Sequence, residues 1–205
     1  MARLSKGMQQ VVRERLVDAA ARHFGEAGFA GARIDAISQE AGFAKGTVYN
    51  YFESKQELFG AVVEEGARRA AGRFRNVDPG GGVRARLIAV AEADVSVVRE
   101  DEAFIKVLVR EAMSFRPETY LVIEAHLAPY LMAVAGILSD GVDEGAIRND
   151  LPVQQLALVF VGTLSVLYVQ HWGAEGAWPN LEEIPTLAVT SFLDGAASRL
   201  KAAAP

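Results

Sequence analysis

Apolar residues recur at three- and four-residue spacing in one segment after another, which predicts an all-α chain of about nine helices. Val12, Leu16, Ala19, Ala20 and Phe24 share one face of a first helix over about 9–27, with Arg13, Arg15 and Arg22 on its other faces. Gly28 stands where a C′ glycine ends such a helix, and Phe29 can fold back on its last turn. Ile34, Ile37 and Ala41 mark a second helix, about 34–41, with Asp35 near its amino end as the helix dipole favours. Gly42 supplies a turn, Phe43 fills the gap between helices, and a third helix runs from about 45 to 52 with Val48 and Phe52 inward. Two short helices about a tight turn make a helix-turn-helix.

Ser54-Lys55-Gln56-Glu57 before Leu58-Phe59 fits a capping box and starts a fourth helix at Ser54. It continues through Val62, Val63, Ala67, Ala70 and Ala71 and carries Arg68, Arg69, Arg73 and Arg75 near its end. Asp78-Pro-Gly-Gly-Gly82 is the strongest loop signal in the chain. Beyond it helices are expected over 83–100, 104–115, 117–138, 152–172 and 186–201; Pro129 should kink or divide the third of these, and 141–150 is a polar turn with Gly145 and Ile147. Residues 1–53 are thus read as a helix-turn-helix domain and 54–205 as a helical body, with helix 54–75 as connector. The stretch 156–169 is apolar nearly all round, so one face can meet the body while the other needs a partner.

Composition narrows the class. Half the residues are apolar, enough for a substantial core, and there is no cysteine, which excludes disulfides and thiolate metal sites and fits a reducing cytoplasm. The first ten residues are polar, with no secretory apolar run behind them, and 156–169 falls short of the roughly 18–20 residues of a membrane span. The net charge of −5 hides an asymmetry: residues 1–75 hold 12 Lys and Arg against 9 Asp and Glu, and 76–205 hold 9 against 17. A mildly basic end on an acidic body suits a DNA contact at one end only. Arg3 and Lys6 lie in a polar arm, which frays in solution or touches phosphate.

Around the exposed arc of the third helix stand Lys45, Thr47, Tyr49, Asn50 and Tyr51, and Gly46 lets its backbone approach a phosphate or base edge. Lys55 at the amino end of the fourth helix is disfavoured by the dipole, a misfit that a DNA phosphate would resolve. The run Gly28-Phe29, Ile34, Ile37, Ala41-Gly-Phe-Ala-Lys-Gly-Thr-Val-Tyr-Asn-Tyr-Phe52 and Ser54-Lys-Gln-Glu-Leu-Phe59 resembles the DNA-binding signature of tetracycline-repressor-like (TetR family) regulators. The resemblance implies that Lys45, Gly46 and Thr47 lie at or near bases, that Tyr49 and Tyr51 hold flanking phosphates and that Lys55 caps the contact. The family's hydroxyl at the start of helix two is replaced by Ala32-Arg33, so Arg33 offers a charged contact where the cap is weaker by about 1 kcal/mol. Ala44 likewise stands where serine is common.

The resemblance also implies a homodimer that pairs the last two helices of each subunit, with Leu156, Val159, Val166, Trp172 and Phe192 as interface residues. Two recognition helices about 34–36 Å apart then read a palindromic operator. Phe104, Leu108, Phe115, Tyr120, His126, Tyr130, Phe160, Leu164 and Tyr168 are the candidate lining of an effector pocket, or core residues that need no ligand. His23 reads as structural, His126 as a possible ligand contact and His171 as near the dimer interface. The three histidines share no metal-ligand spacing, and neither a metal nor a cofactor is expected. The reading is a ligand-responsive repressor released by a small apolar or aromatic effector. Its alternatives are a DNA-binding regulator answering to a protein partner and a helical enzyme, the latter without a nucleophile–base pair, phosphate loop or acidic dyad to support it.

Overall fold

The structure, a computed structural model, describes residues 6–74 and 80–195. Seven α-helices and one 3-10 turn make up the regular structure of those residues, with no strand among them: α1 (Lys6–Gly31), α2 (Ile34–Glu40), the 3-10 turn Thr47–Asn50, α3 (Lys55–Phe74), α4 (Val83–Ala112), α5 (Pro117–Asp143), α6 (Val153–Gly173) and α7 (Ile184–Asp194). The all-α class holds and the count of nine does not. The segments expected over 83–100 and 104–115 are one helix, broken in its backbone angles only at Asp101 (φ −128, ψ 36). Helix α5 runs through Pro129 undivided, so the backbone bond a proline forfeits is outweighed by the burial of Ile123, Val134 and Leu138 along the same helix. The third helix is replaced by the 3-10 turn. Gly46, at its start, is left-handed (φ 76), and the bonds Thr47 N–H to Ala44 O and Tyr49 N–H to Gly46 O close three-residue rings.

The chain forms two compact units, Met1–Arg73 with Val97–Ala128 and Phe74–Ser96 with Pro129–Pro205. In the first, Leu16, Phe24, Ile37, Val48, Phe52, Leu58 and Phe59 are sealed from solvent. Phe29 does turn back at the end of α1: its ring stacks on Phe24 at 5.9 Å and meets Phe59 edge-on at 5.3 Å. Gly28 is left-handed (φ 72) and interrupts α1 there. Two residues of α4 hold that bend. Glu111, only 2% exposed, accepts the Phe29 N–H at 2.7 Å, while the Arg110 guanidinium donates to the carbonyls of Gly25 and Glu26.

In the second unit Leu87, Leu138, Phe160, Leu164 and Ile184 form the sealed core. Gly141 could not be another residue without a shift, because a Cβ there would lie 2.7 Å from the Ile147 side chain and 3.0 Å from Val83. Helix α7 begins two residues before the expected start because Pro185 suits a first turn, and it ends at the left-handed Gly195. Its expected continuation to 201, Arg3 of the arm, Arg75 and the first part of the 78–82 loop lie outside the described residues.

Candidate nucleic-acid interface and body site

The helix-turn-helix is fixed from its turn outward. Gly42 takes φ 83, and a Cβ on it would come within 2.9 Å of the Arg15 guanidinium, which lies over the Phe43 ring at 5.0 Å. The buried Ser38 of α2 accepts the Val48 N–H at 3.4 Å and so ties α2 to the 3-10 turn. Glu40, the last residue of α2, pairs with Arg22 and sits 2.8 Å from His23 Nε2, off the line of a hydrogen bond. His23 therefore has the carboxylate neighbour that its sequence surroundings did not show. Neither Ser38 nor Glu40 stood out in the sequence, because a serine and a glutamate on a short helix read as solvated until the neighbouring helix is placed.

With Val48 and Phe52 turned inward, the residues expected to meet DNA are distributed around the turn. Lys45, Tyr49 and Asn50 are exposed, Tyr49 by 57%, and Thr47 and Tyr51 are half-buried. A three-residue pitch sets Thr47 and Asn50 on one edge. Arg33 is exposed at the N-cap of α2 and makes no side-chain cap bond, as the weak cap at this position implies. Lys55, expected to cap the DNA contact from the amino end of the fourth helix, also has partners within the protein. Its ammonium donates to the Ala30 carbonyl at 3.2 Å and lies over the Phe29 ring at 5.1 Å, and burial lowers its pKa from the ordinary value against an opposing pull from Glu111. Two of its three N–H donors remain for a phosphate. The capping box forms with a variation: Ser54 Oγ accepts the Glu57 N–H at 3.1 Å, and the Glu57 carboxylate reaches the N–H of Glu53 at 2.5 Å.

The nine candidate pocket residues divide between the units. Phe104 is buried beneath the Arg69 guanidinium, 4.2 Å from its ring centre, and Leu108 is buried too. Phe115 is 94% exposed in a left-handed turn and Tyr120 is 48% exposed, so neither lines an interior as drawn from the sequence. His126 Nδ1 lies 2.8 Å from the Val122 carbonyl of its own helix. In the second unit Phe160 is sealed and packs edge-on against Phe192 at 5.3 Å, and Leu164 is sealed as well. Tyr168 brings in a residue the sequence did not single out: its hydroxyl donates to Asp94 Oδ2 at 2.9 Å. Burial pushes the Asp94 carboxyl up to about 6 despite that hydrogen bond. An isolated aspartate on α4 carries no sequence signal, since only the packing of α6 encloses it.

Of the expected interface residues, Leu156 is buried within its own unit, Trp172 and Phe192 are half-buried, and Val159 and Val166 are each 58% exposed. Leu158 and Val169 extend that exposed face of α6. His171 Nδ1 lies 2.8 Å from the Pro179 carbonyl. Among the described residues no group of three or more His, Cys, Asp or Glu could hold a metal ion. By length and composition alone, α5 and α6 are apolar enough to cross a membrane.

An exposed Lys-Gly-Thr-x-Tyr-Asn-Tyr turn on a buried helix-turn-helix frame is the arrangement of a DNA-binding transcriptional regulator. Residues 16–62 match the family described as bacterial regulatory proteins, tetR family. The chain is 25% identical over 179 residues to the HTH-type transcriptional repressor AcnR of Corynebacterium efficiens, covering 87% of this chain and 91% of that protein. Two solved structures share the fold. FadR from Bacillus subtilis in complex with stearoyl-CoA superposes with a TM-score of 0.75 at 22% identity, over 90% of this chain and 99% of that one. AibR in complex with isovaleryl coenzyme A and operator DNA also gives 0.75, at 20% identity, over 89% and 98%.

Proposed function

We propose that this chain is a homodimeric repressor whose residues 1–53 read a palindromic operator and whose body, 54–205, binds a small molecule of largely apolar form that releases it. The observation that carries the DNA contact is the exposed set Lys45, Tyr49 and Asn50 on a turn whose inward residues are sealed. Phosphate contacts from Tyr49, Tyr51, Arg33 and Lys55 position the head, while Lys45, Gly46 and Thr47 meet base edges. The face of α6 formed by Leu158, Val159, Val166 and Val169 supports the dimer, because an apolar strip of that length left in water is covered by a partner. The same face accounts for the span-like hydropathy of α6 without a membrane. Binding to chromosomal DNA implies the cytoplasm.

Effector binding in the body biases the protein between two states that differ in operator affinity. FadR and AibR were solved with acyl thioesters bound, which makes that class the first to titrate against this body. The test begins with duplexes selected from a randomised pool by the full chain. An inverted repeat with half-sites about one helical turn apart is the expected product. Lys45→Ala should weaken binding and reduce the salt slope by about one, and Tyr49→Ala should weaken all bound sequences alike. Unchanged binding in both variants removes the 3-10 turn from the interface.

A further inference from the structure

Arg13 and Arg15 leave α1 on the two borders of its buried stripe, since the helical period sets them about 80° to either side of the line through Val12 and Leu16. Each reaches an aromatic ring of the helix-turn-helix. The Arg13 guanidinium lies over Phe52 at 5.1 Å, and that of Arg15 over Phe43 at 5.0 Å. Phe43 opens and Phe52 closes the segment that exposes Lys45, Tyr49 and Asn50, so one cation stands at each end of it. Neither arginine makes a hydrogen bond or ion pair among the described residues. The carboxylates nearest in sequence are engaged elsewhere: Glu14 takes the Gln10 amide at 2.9 Å, and Asp18, three residues after Arg15, takes Arg69 at 2.8 Å. Arg22, Arg73, Arg84, Arg86 and Arg148, by contrast, each face a carboxylate. Covering a ring does not require arginine, because a leucine or methionine seals it as well. The two rings hold their cations without using any of the five N–H donors that each guanidinium carries.

We propose that Arg13 and Arg15 are two further contacts to DNA phosphate, one at each end of residues 43–52, so that α1 joins the 3-10 turn in gripping the duplex. The proposal rests on the DNA reading above and extends it to a helix which that reading leaves as support. Arginine suits the work, because its planar fork matches the oxygens of a phosphate and also stacks on rings. A side chain already held by a ring loses less freedom on binding than one free in water. Neither residue reads a base: phosphate contacts position the protein and carry no sequence information.

The full chain is titrated with its selected duplex over a salt series, as wild type, Arg13→Met and Arg15→Met. Methionine keeps an apolar cover on each ring while removing the charge. Each variant should bind at least about tenfold more weakly at low salt and lower the salt slope by about one per half-site. The preference for the selected duplex over a scrambled one should stay that of the wild type. Arg13→Lys and Arg15→Lys should restore the slope, since each returns the charge. Urea midpoints are read on the same samples, and Arg13→Gln and Arg15→Gln replace the methionine variants if those fall below the wild type. A slope unchanged in either uncharged variant overturns the proposal. So does a lost preference at an unchanged slope, the result of arginines that only prop the turn. Lys45→Ala and Tyr49→Ala, titrated alongside, separate this proposal from the reading beneath it. If they weaken binding while the slopes of the α1 variants hold, only the α1 contacts fall; if no variant has any effect, the DNA face itself is misplaced.

Discussion

Gly42 and Gly46 are four residues apart, both left-handed, and differ in what surrounds them. A side chain at Gly42 meets the strained φ of 83 and also the Arg15 guanidinium, 2.9 Å from a Cβ, whereas one at Gly46 meets only the strain of φ 76. The left-handed penalty for alanine is about 1–2 kcal/mol at either place. Displacing Arg15 from the Phe43 ring adds about 0.5–1 kcal/mol at Gly42. Gly42→Ala should therefore lower the urea midpoint more than Gly46→Ala does, and the reverse order would show that Arg15 swings aside freely. The first glycine is legible in the sequence, since it stands between two apolar-periodic segments where a turn is needed. The second reads as a helical residue kept small for DNA, because periodicity in Val48 and Phe52 is shared by a 3-10 turn and a short α-helix. Asp94 and Glu111 show the limit at this scale: a carboxylate on a helix face is solvated or enclosed according to an element far off in sequence.

Among the elements, one side chain of α3 reaches both α1 and α4. Arg69 donates to Glu65 on its own helix, to Asp18 on α1 and to Asp101, where α4 breaks, each at 2.7–2.8 Å, with its plane over Phe104. Burial opposes its charge, but the bonds it donates to Asp101, Glu65 and Asp18 raise its pKa overall. The hydrogen bond from Arg68, against burial and helped by Arg69, depresses the Glu65 carboxyl from 4.5 to about 2. A depressed carboxyl contributes stability that is present above its unfolded pKa and lost as pH falls through the folded one. The wild type should thus lose stability between about pH 4.5 and 2, and Glu65→Gln should flatten that part of a midpoint-against-pH curve. An identical acid slope in the variant would show that the pairing does not set the shift. The gap between the expected helices 83–100 and 104–115 fell on Asp101, so the sequence located the break but not the continuity across it. At Pro129 the error ran the same way: of the kink or division that local propensity predicted, the division does not occur, because α5 continues through the proline.

At the scale of the whole molecule, the apolar surface of α6 is what one copy of the chain leaves unresolved. Leu158, Val159, Val166 and Val169 stand 45–61% exposed at helical spacing, and a Cβ at Gly162 between them would meet nothing within 4 Å, so another helix can approach closely there. Leu156, by contrast, is buried at home, and its loss would weaken a single subunit without touching the face. Val159→Asp with Val166→Asp separates assembly from folding, because both side chains are more than half exposed and a charge there costs one subunit little. Across a twofold helix pair, the same charges are buried without partners, which is strongly destabilising. The doubly substituted protein should sediment as a monomer with its helical circular dichroism intact and lose most of its affinity for an inverted repeat, while a lone half-site is bound as weakly as by the wild type. It should also stay in the aqueous phase when mixed with lipid vesicles, as the wild type should. A dimer that survives both aspartates would move the interface off α6, and partition of the wild type into vesicles would mean that the hydropathy of α5 and α6 serves a bilayer instead of a second copy.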